Sequence, residues 1–562
     1  MKLQPITLLL IVMIYSATGF SQVISRHFFG ENAWMPDTIG NFTTCQEPPC
    51  LLKGQLHRQW ANLRSSQASV IRFGGTSADE NMPTNYQYIR MIDSIRANGM
   101  EPEIQIPFYN NRYTAEQAAE IVRYINITQG KKIKYWIIGN EPDQGYGYTT
   151  SAQVAAYFRP FASAMKYVDP SILIIGPELA WFNEPILNGL TTPNGPDDIT
   201  GHDSLGNYYL DLISFHTYPF DGTQTREQVI SNLTAPGSFQ NNLISLNSNI
   251  SACNAAHNRT GNAALKAAVT EANIDWKNSP SDNLNGTGAN SFIGGQFIAE
   301  MMGIGMKNGL DFLNIWSVIE GNTIASDIGI IDAMSYSKKP SYFHFQLVAG
   351  NFSGNYLDGT SNRQNVKSFG CQNNQQICIL ILNEDQNASY PYTLLLNTTD
   401  TTSPSPLRIN INAGIAQTYS DQLLNESSIL LTFDLQGILI KKCEYSLANN
   451  ANANLAPTCT ENILAAIAPL SHSITSLDSG LRIFPNPSTG EFTIQLTGEN
   501  TEIKNRDILI LNSTGQIVYR KTSVFTRGTE QIDLGIDFAD GLYVIRVIDG
   551  DDILTKPVLL KK

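Results

Sequence analysis

At 562 residues the chain is too long for one ordinary domain and holds material for large cores. Its 42% hydrophobic and 15% charged residues exclude a disordered chain. A net charge of −13 without a Lys/Arg cluster argues against a nucleic-acid-binding face, while acidity alone leaves the partner open.

The first segment, Met1–Ser21, reads as a secretory signal peptide. Lys2 supplies the charge, Ile6–Tyr15 the apolar core and Gly19-Phe20-Ser21 the small-residue cleavage site. The apolar run is too short for a stable membrane anchor, and no later segment reads as transmembrane. No cysteine adjoins the cleavage point, which argues against a lipoprotein.

From Gln22 to Ser335 apolar strand-like runs alternate with helical stretches, the pattern of a parallel sheet with crossover helices. Eight runs follow in order: His27–Ala33, Ser69–Phe73, Pro102–Pro107, Lys134–Gly139, Ile172–Gly176, Leu210–Ser214, Ala267–Thr270 and Phe312–Ser317. Tyr86–Asn98 and Thr114–Ile127 are helices between them. This predicts an α/β fold, a (β/α)8 barrel over 22–335. A doubly wound sheet is the alternative, disfavoured because no Gly-rich phosphate loop follows the first strand.

Short alternating strands recur over 336–443 (Cys378–Leu382, Tyr392–Leu396, Leu407–Ile411, Ser428–Leu435, Ile438–Lys441) and predict a β-sandwich. The Asn-Ala and Ser/Thr-rich stretch 444–480 reads as a linker, and 481–562 as a separate small all-β domain. Seven cysteines lie beyond the signal segment, an odd number that leaves at least one thiol free. The close pairs Cys45–Cys50 and Cys371–Cys378 suggest local loop staples, and no spacing forms a zinc site.

The stretch Trp136-Ile137-Ile138-Gly139-Asn140-Glu141-Pro142-Asp143 carries the chemistry. A buried strand ends abruptly at a proline, which cannot donate to the ladder. Glu141 is thereby delivered to the barrel rim beside an amide able to hold a substrate hydroxyl, a placement suited to a general acid/base. Glu271 follows the seventh strand as Glu141 follows the fourth. Strands four and seven face each other across a barrel, so the two carboxylates converge with room for a sugar ring between them. A retaining glycosidase needs one nucleophile and one acid/base about 5–5.5 Å apart. Their mutual repulsion keeps the acid protonated. Glu31 and Asn32, after strand one, are candidate contacts to the sugar, each weighed against a structural role. Trp34, Tyr109, Trp181, Trp276 and Trp316 are candidate platforms, of which Trp316, at the end of strand eight, is preferred. Glu178 lacks the strand-seven position, and Glu320 either lines the site or is structural.

The Asn-Glu pair ending strand four and the Glu ending strand seven resemble the clan A glycoside hydrolases. The resemblance implies that Asn140 binds the sugar 2-hydroxyl, Glu141 is acid/base and Glu271 nucleophile. It further implies that Arg72 holds the nucleophile and that His216-Thr217-Tyr218 is the strand-six His-x-Tyr, with Tyr218 orienting Glu271. Arg72-Phe73-Gly74-Gly75-Thr76 with Asp79, and Gly139-Asn140-Glu141-Pro142, look most like the heparanase-like family 79. Asp143 and Thr270-Glu271-Ala272-Asn273 depart from that family's pattern, so families 39 and 51, with xylosidase and arabinofuranosidase activities, stay open. The expected function is a retaining glycoside hydrolase acting on a poly- or oligosaccharide, without metal or organic cofactor; the family 79 resemblance implies a β-glucuronidase or heparanase-like enzyme. An inverting hydrolase and a non-catalytic carbohydrate-binding surface protein are the rivals.

Ile483-Phe484-Pro485-Asn486-Pro487-Ser488-Thr489-Gly490 and Asp540-Gly541-Leu542-Tyr543-Val544-Ile545-Arg546-Val547 resemble the C-terminal sorting domain of the type IX secretion system of Bacteroidetes. That resemblance implies export across the outer membrane, with the secretion machinery as partner and a secreted or cell-surface location. A carbohydrate-binding module is the alternative for this domain.

Overall fold

The computed structural model describes residues 22–33, 56–108, 110–278, 282–320, 327–397, 407–447, 454–461, 481–496, 505–512, 517–525, 528–534, 538–549 and 552–561. The expected signal segment, Trp34, Cys45, Cys50, Tyr109 and most of the expected linker lie outside them. The chain forms two compact units, residues 1–430 with 443–458 and residues 431–442 with 459–562.

In the first unit eight parallel strands close into a barrel in chain order. They are β1 (Phe29–Ala33), β2 (Val70–Phe73), β3 (Glu101–Ile106), β4 (Tyr135–Ile138), β5 (Leu173–Leu179), β6 (Leu212–Thr217), β7 (Lys266–Ala272) and β8 (Phe312–Ile315). Each matches one run read from the sequence, and the pairing of β8 with β1 rules out the doubly wound sheet. The strands read as continuous apolar runs because both faces are covered. Ile71, Ile104, Trp136, Ile174, Ile213, Val269 and Leu313 point outward into the main core. Val70, Tyr135, Ile137, Ile175, Leu212, Ala268 and Phe312 fill the lower barrel interior. Above them the interior turns polar, with Asn32, Arg72, Glu103, Gln105, Ser214, Thr270 and Asn314 all buried. Close packing of that layer admits no side chain at Gly30, whose Cβ would fall 1.7 Å from Asn314 Oδ1.

Four helices open with the same reciprocal cap: Thr84 with Gln87, Thr114 with Gln117, Thr150 with Gln153 and Thr225 with Gln228. Each pair satisfies two backbone donors that the first helical turn leaves unbonded. A helix, Pro340–Ala349, follows β8, inside the stretch the sequence assigns to the sandwich.

The next strands are β9 (Asn355–Ser361), β10 (Val366–Gln372), β11 (Ile377–Asn383), β12 (Tyr390–Leu395), β13 (Leu407–Ile411), β14 (Thr418–Leu423), β15 (Ser427–Phe433) and β16 (Leu439–Ser446). Hydrogen bonding is continuous in the order β14-β12-β13-β9-β10-β11-β15-β16. Strands β9, β10 and β14 are not apparent from the sequence. Of β14 only Leu423 is buried, so it lacks an apolar face. Gln296, from the buried helix Phe292–Lys307, ties the barrel to this sheet through the carbonyls of Asn383 and Ser427 (3.1 and 3.0 Å). Arg226 adds an ion pair to Glu426. The expected Cys371–Cys378 staple is corrected: the two residues face each other across β10 and β11 as buried thiols with no disulfide between them. Cys443 and Cys459 are the disulfide-bonded cysteines among the described residues.

The second unit contains two antiparallel sheets. Leu481–Phe484, Glu491–Leu496 and Thr529–Asp533 form one, and Ile517–Val524, Asn505–Leu511, Gly541–Asp549 and Asp552–Leu560 the other. Alternate residues such as Phe492, Ile494, Ile508, Ile510, Ile545 and Val547 face a shared core. Among the described residues no helix is long and apolar enough to cross a membrane.

Candidate active site

The chain leaves β4 through two left-handed residues, Gly139 (φ 74°) and Glu141 (φ 45°), which flank Asn140. Glycine tolerates this conformation, whereas a glutamate before proline is strained by it. The strain is held by the neighbouring strand: Glu141 N donates to the Glu178 carbonyl at 2.8 Å. Asp143 accepts from Ala180 N at 2.9 Å and from Asn183 Nδ2 at 3.1 Å. The Glu141 loop is thus fastened to the end of β5 rather than left mobile.

Glu271, on β7, is gripped at both oxygens. Arg72 Nη1 donates to Oε1 and the Tyr218 hydroxyl to Oε2, each at 2.8 Å. Arg72 also donates to Asn32 Oδ1 (2.8 Å), Asn140 Oδ1 (2.9 Å), Gln105 Oε1 (3.3 Å) and Glu178 Oε2 (3.0 Å). Because Asn140 Oδ1 is committed to Arg72, its Nδ2, 3.4 Å from Thr76 Oγ1, is the end able to donate to a substrate hydroxyl. His216 lies between the acids, with Nδ1 2.9 Å from Glu141 Oε1 and 3.6 Å from Glu271 Oε2. One ligand atom each of Glu141, His216 and Glu271 lie within 4.8 Å of one another. That spacing would also suit a cation, but the Arg72 guanidinium already neutralises Glu271, and both ring nitrogens of His216 are engaged by carboxylates.

Electrostatics separates the roles. Burial pushes the Glu271 carboxyl upward, opposed by the charges of His216 and Arg72 and by the Tyr218 bond. Burial would lower His216, but Glu271 together with bonds to Glu141 and Glu178 raises it to about 10. Burial would raise Glu178, but Arg72, His216 and Ser214 bring it down to about 2. Glu103 below is pushed up to about 8, first by burial and then by Glu178.

Of the residues singled out from the sequence, the fold gathers Arg72, Asn140, Glu141, His216, Tyr218 and Glu271 into one hydrogen-bonded cluster. Asn32 joins it from beneath, fully buried, its Nδ2 on the Thr270 carbonyl at 3.0 Å, which makes it a support for Arg72. Glu31 does not join. Successive side chains on a strand point to opposite faces, and Asn32 takes the inward one. Glu31 therefore faces the helical shell, where burial raises its carboxyl far above the ordinary range. Trp316 closes the floor, its ring so near Gly75 (φ 92°) that a Cβ there would be 2.6 Å away. Glu320 accepts the Trp316 Nε1–H at 2.6 Å and Ile328 N at 3.0 Å, so it braces the Trp316 ring. Trp181 and Trp276, just past β5 and β7, are half-exposed. Glu178 is the residue sequence reasoning passed over. It sits on β5 because that strand continues past Pro177, and its signal was a carboxylate after an apolar run, as at Glu141.

Residues 482–561 match the family described as the secretion system C-terminal sorting domain. No curated protein sequence matches the chain. Among solved structures it resembles AbfB, a family 51 α-L-arabinofuranosidase from Bifidobacterium longum, with TM-score 0.54 and 15% identity over 73% of this chain and 97% of that one. It is also similar to a GH51 α-L-arabinofuranosidase from Thermotoga petrophila RKU-1, with TM-score 0.49 and 16% identity over 73% of this chain and 95% of that one. At such identity the likeness establishes the shared barrel-and-sheet fold.

Proposed function

We propose that this chain is an exported retaining glycoside hydrolase, with Glu271 as nucleophile and Glu141 as acid/base. The observation that carries the reading is the approach of the two carboxylates, with oxygens within 4.8 Å and Glu271 oriented by Arg72 and Tyr218. Retaining enzymes hold their pair about 5–5.5 Å apart, while inverting ones leave about 6.5–9.5 Å for a water. Glu271 attacks the anomeric carbon as Glu141 protonates the leaving oxygen, and water then hydrolyses the glycosyl-enzyme with Glu141 as base. A non-catalytic binder has no use for two carboxylates forced together, which costs stability. The sorting-domain match supports delivery by the type IX machinery to the cell surface or medium.

For the substrate, the charges favour a neutral sugar unit of a poly- or oligosaccharide over a uronic acid. Arg72, the guanidinium among the described site residues, is already spent on Glu271 and Glu178. A uronate would add an unpaired anion to a buried acidic site. The test is a panel of aryl glucuronide, xyloside, arabinofuranoside, galactoside and glucoside with the wild type, Glu141→Gln and Glu271→Gln. Turnover of a neutral glycoside, cut by orders of magnitude in both variants, is expected. Near-full activity of Glu271→Gln would remove the nucleophile assignment, and turnover confined to the glucuronide would restore the uronic-acid reading.

A further inference from the structure

We propose that Glu178 is a positioning residue: it accepts the Nε2–H of His216, turns Nδ1 toward Glu141, and thereby makes Glu141 and His216 share one transferable proton. The role rests on the acid/base reading of Glu141. Glu178 has a fully buried side chain and meets no substrate. Its Oε1 accepts the hydroxyls of Ser214 (2.5 Å) and Thr270 (2.8 Å), and its Oε2 accepts Arg72 Nη2 at 3.0 Å. Each of these donors favours the anion. His216 Nε2 lies 3.3 Å from the same Oε2, so that nitrogen carries a hydrogen. Nδ1 is then left facing Glu141 Oε1 at 2.9 Å. Two bare lone pairs at that distance repel, and two hydrogens on that line clash, so one proton lies between the atoms.

The groups facing His216 come from several strands. Glu141 follows β4, Glu178 is on β5 and Glu271 on β7, and Arg72 on β2 bridges the last two. Glu103 on β3 and Tyr218, just past β6, complete the surroundings. Three carboxylates around one ring hold the shared proton in place up to alkaline pH, in line with the rise of His216 to about 10. In the first step the proton passes to the glycosidic oxygen as its bond to C1 breaks and the Glu271–C1 bond forms. In the second, water adds to C1, the Glu271–C1 bond breaks, and the water's proton returns to the Glu141–His216 pair. A histidine tautomer set by the partner of its far nitrogen is a general device.

Two measurements test this. In wild-type protein labelled with ¹⁵N-histidine, the His216 signal, assigned by its loss in His216→Asn, should show a protonated Nε2 at every pH where the fold is intact. A bare Nε2 overturns the proposal, and this reading needs no activity. In Glu178→Gln the alkaline limb of kcat/KM should move to lower pH by about one to three units, because the neutral amide no longer favours the protonated ring. Glu178→Asp, which keeps the charge, should leave that limb in place at reduced kcat. A folded Glu178→Gln with an unmoved limb overturns the proposal, since a purely structural role lowers the rate without shifting its pH dependence. If that variant does not fold, the tautomer decides. If the wild type hydrolyses no glycoside, the functional reading fails while the tautomer measurement still decides where the proton sits.

Discussion

Tyr218→Phe isolates a single hydrogen bond to the proposed nucleophile. Phenylalanine keeps the ring and removes only the hydroxyl that donates to Glu271 Oε2 at 2.8 Å. A hydrogen bond to a charged group contributes about 1.5–3 kcal/mol. All of it favours ionised Glu271, because a protonated carboxyl offers a poorer acceptor. At about 1.4 kcal/mol per pH unit, losing it raises the Glu271 pKa by about one to two units. The nucleophile must be ionised to attack, so the acid limb of kcat/KM moves to higher pH by that amount. Below the wild-type limb the rate falls about 10- to 100-fold, and on the plateau it changes less. Because His216 and Glu271 interact through their charges, the shift is read as that of the cluster's lower apparent pKa. The assay is a pH profile of kcat/KM on whichever aryl glycoside the wild type hydrolyses. An acid limb that stays put while kcat drops uniformly would refute the argument, leaving Tyr218 as a packing residue.

Lys166→Met takes the nearest cation from a buried carboxylate and leaves it Arg259 at 3.8 Å: Lys166 Nζ lies 2.6 Å from Asp211 Oδ2, with the side chains 5% and 11% exposed. Denaturant unfolding should show a loss of about 3–5 kcal/mol, and a loss below about 1 kcal/mol would mean that the pair behaves as a surface one. Burial raises Glu103 to about 8 and Asp275 and Glu320 to about 7. Such carboxyls are protonated when folded and ionised when unfolded between their ordinary pKa and these values, so unfolding releases protons and stability falls as pH rises through that window. Glu320→Gln with Asp275→Asn should flatten the decline of Tm, and an unchanged slope would contradict the burial argument. Trp181, half-exposed beside the Asp143-anchored loop, is the proposed platform for a leaving sugar. Trp181→Ala should raise KM for oligosaccharides about 3- to 10-fold and leave aryl glycosides nearly unchanged, and an equal effect on both would deny it that role.

The sequence by itself determined the barrel and its two leading carboxylates. Strands buried on both faces are apolar over most of their length, so their eight runs are visible without a partner. Pro142 marks where β4 stops, and Glu141 and Glu271 inherit opposite positions from strand number alone. The small C-terminal domain is legible for a similar reason, since its strands alternate about one core. Strands β9, β10 and β14 escaped because polar residues interrupt their apolar alternation. Tertiary structure alone decided which polar residues share the barrel interior. Neighbouring side chains on a strand take opposite faces, and that parity sends Asn32 inward to Arg72 and Glu31 outward into the shell. It also decided Glu178, which becomes part of the site only because β5 continues beyond Pro177 and Arg72, Ser214, His216 and Thr270 arrive from three other strands to hold its charge. A carboxylate's role follows from the donors around it, and those donors are neighbours in space, distant along the chain.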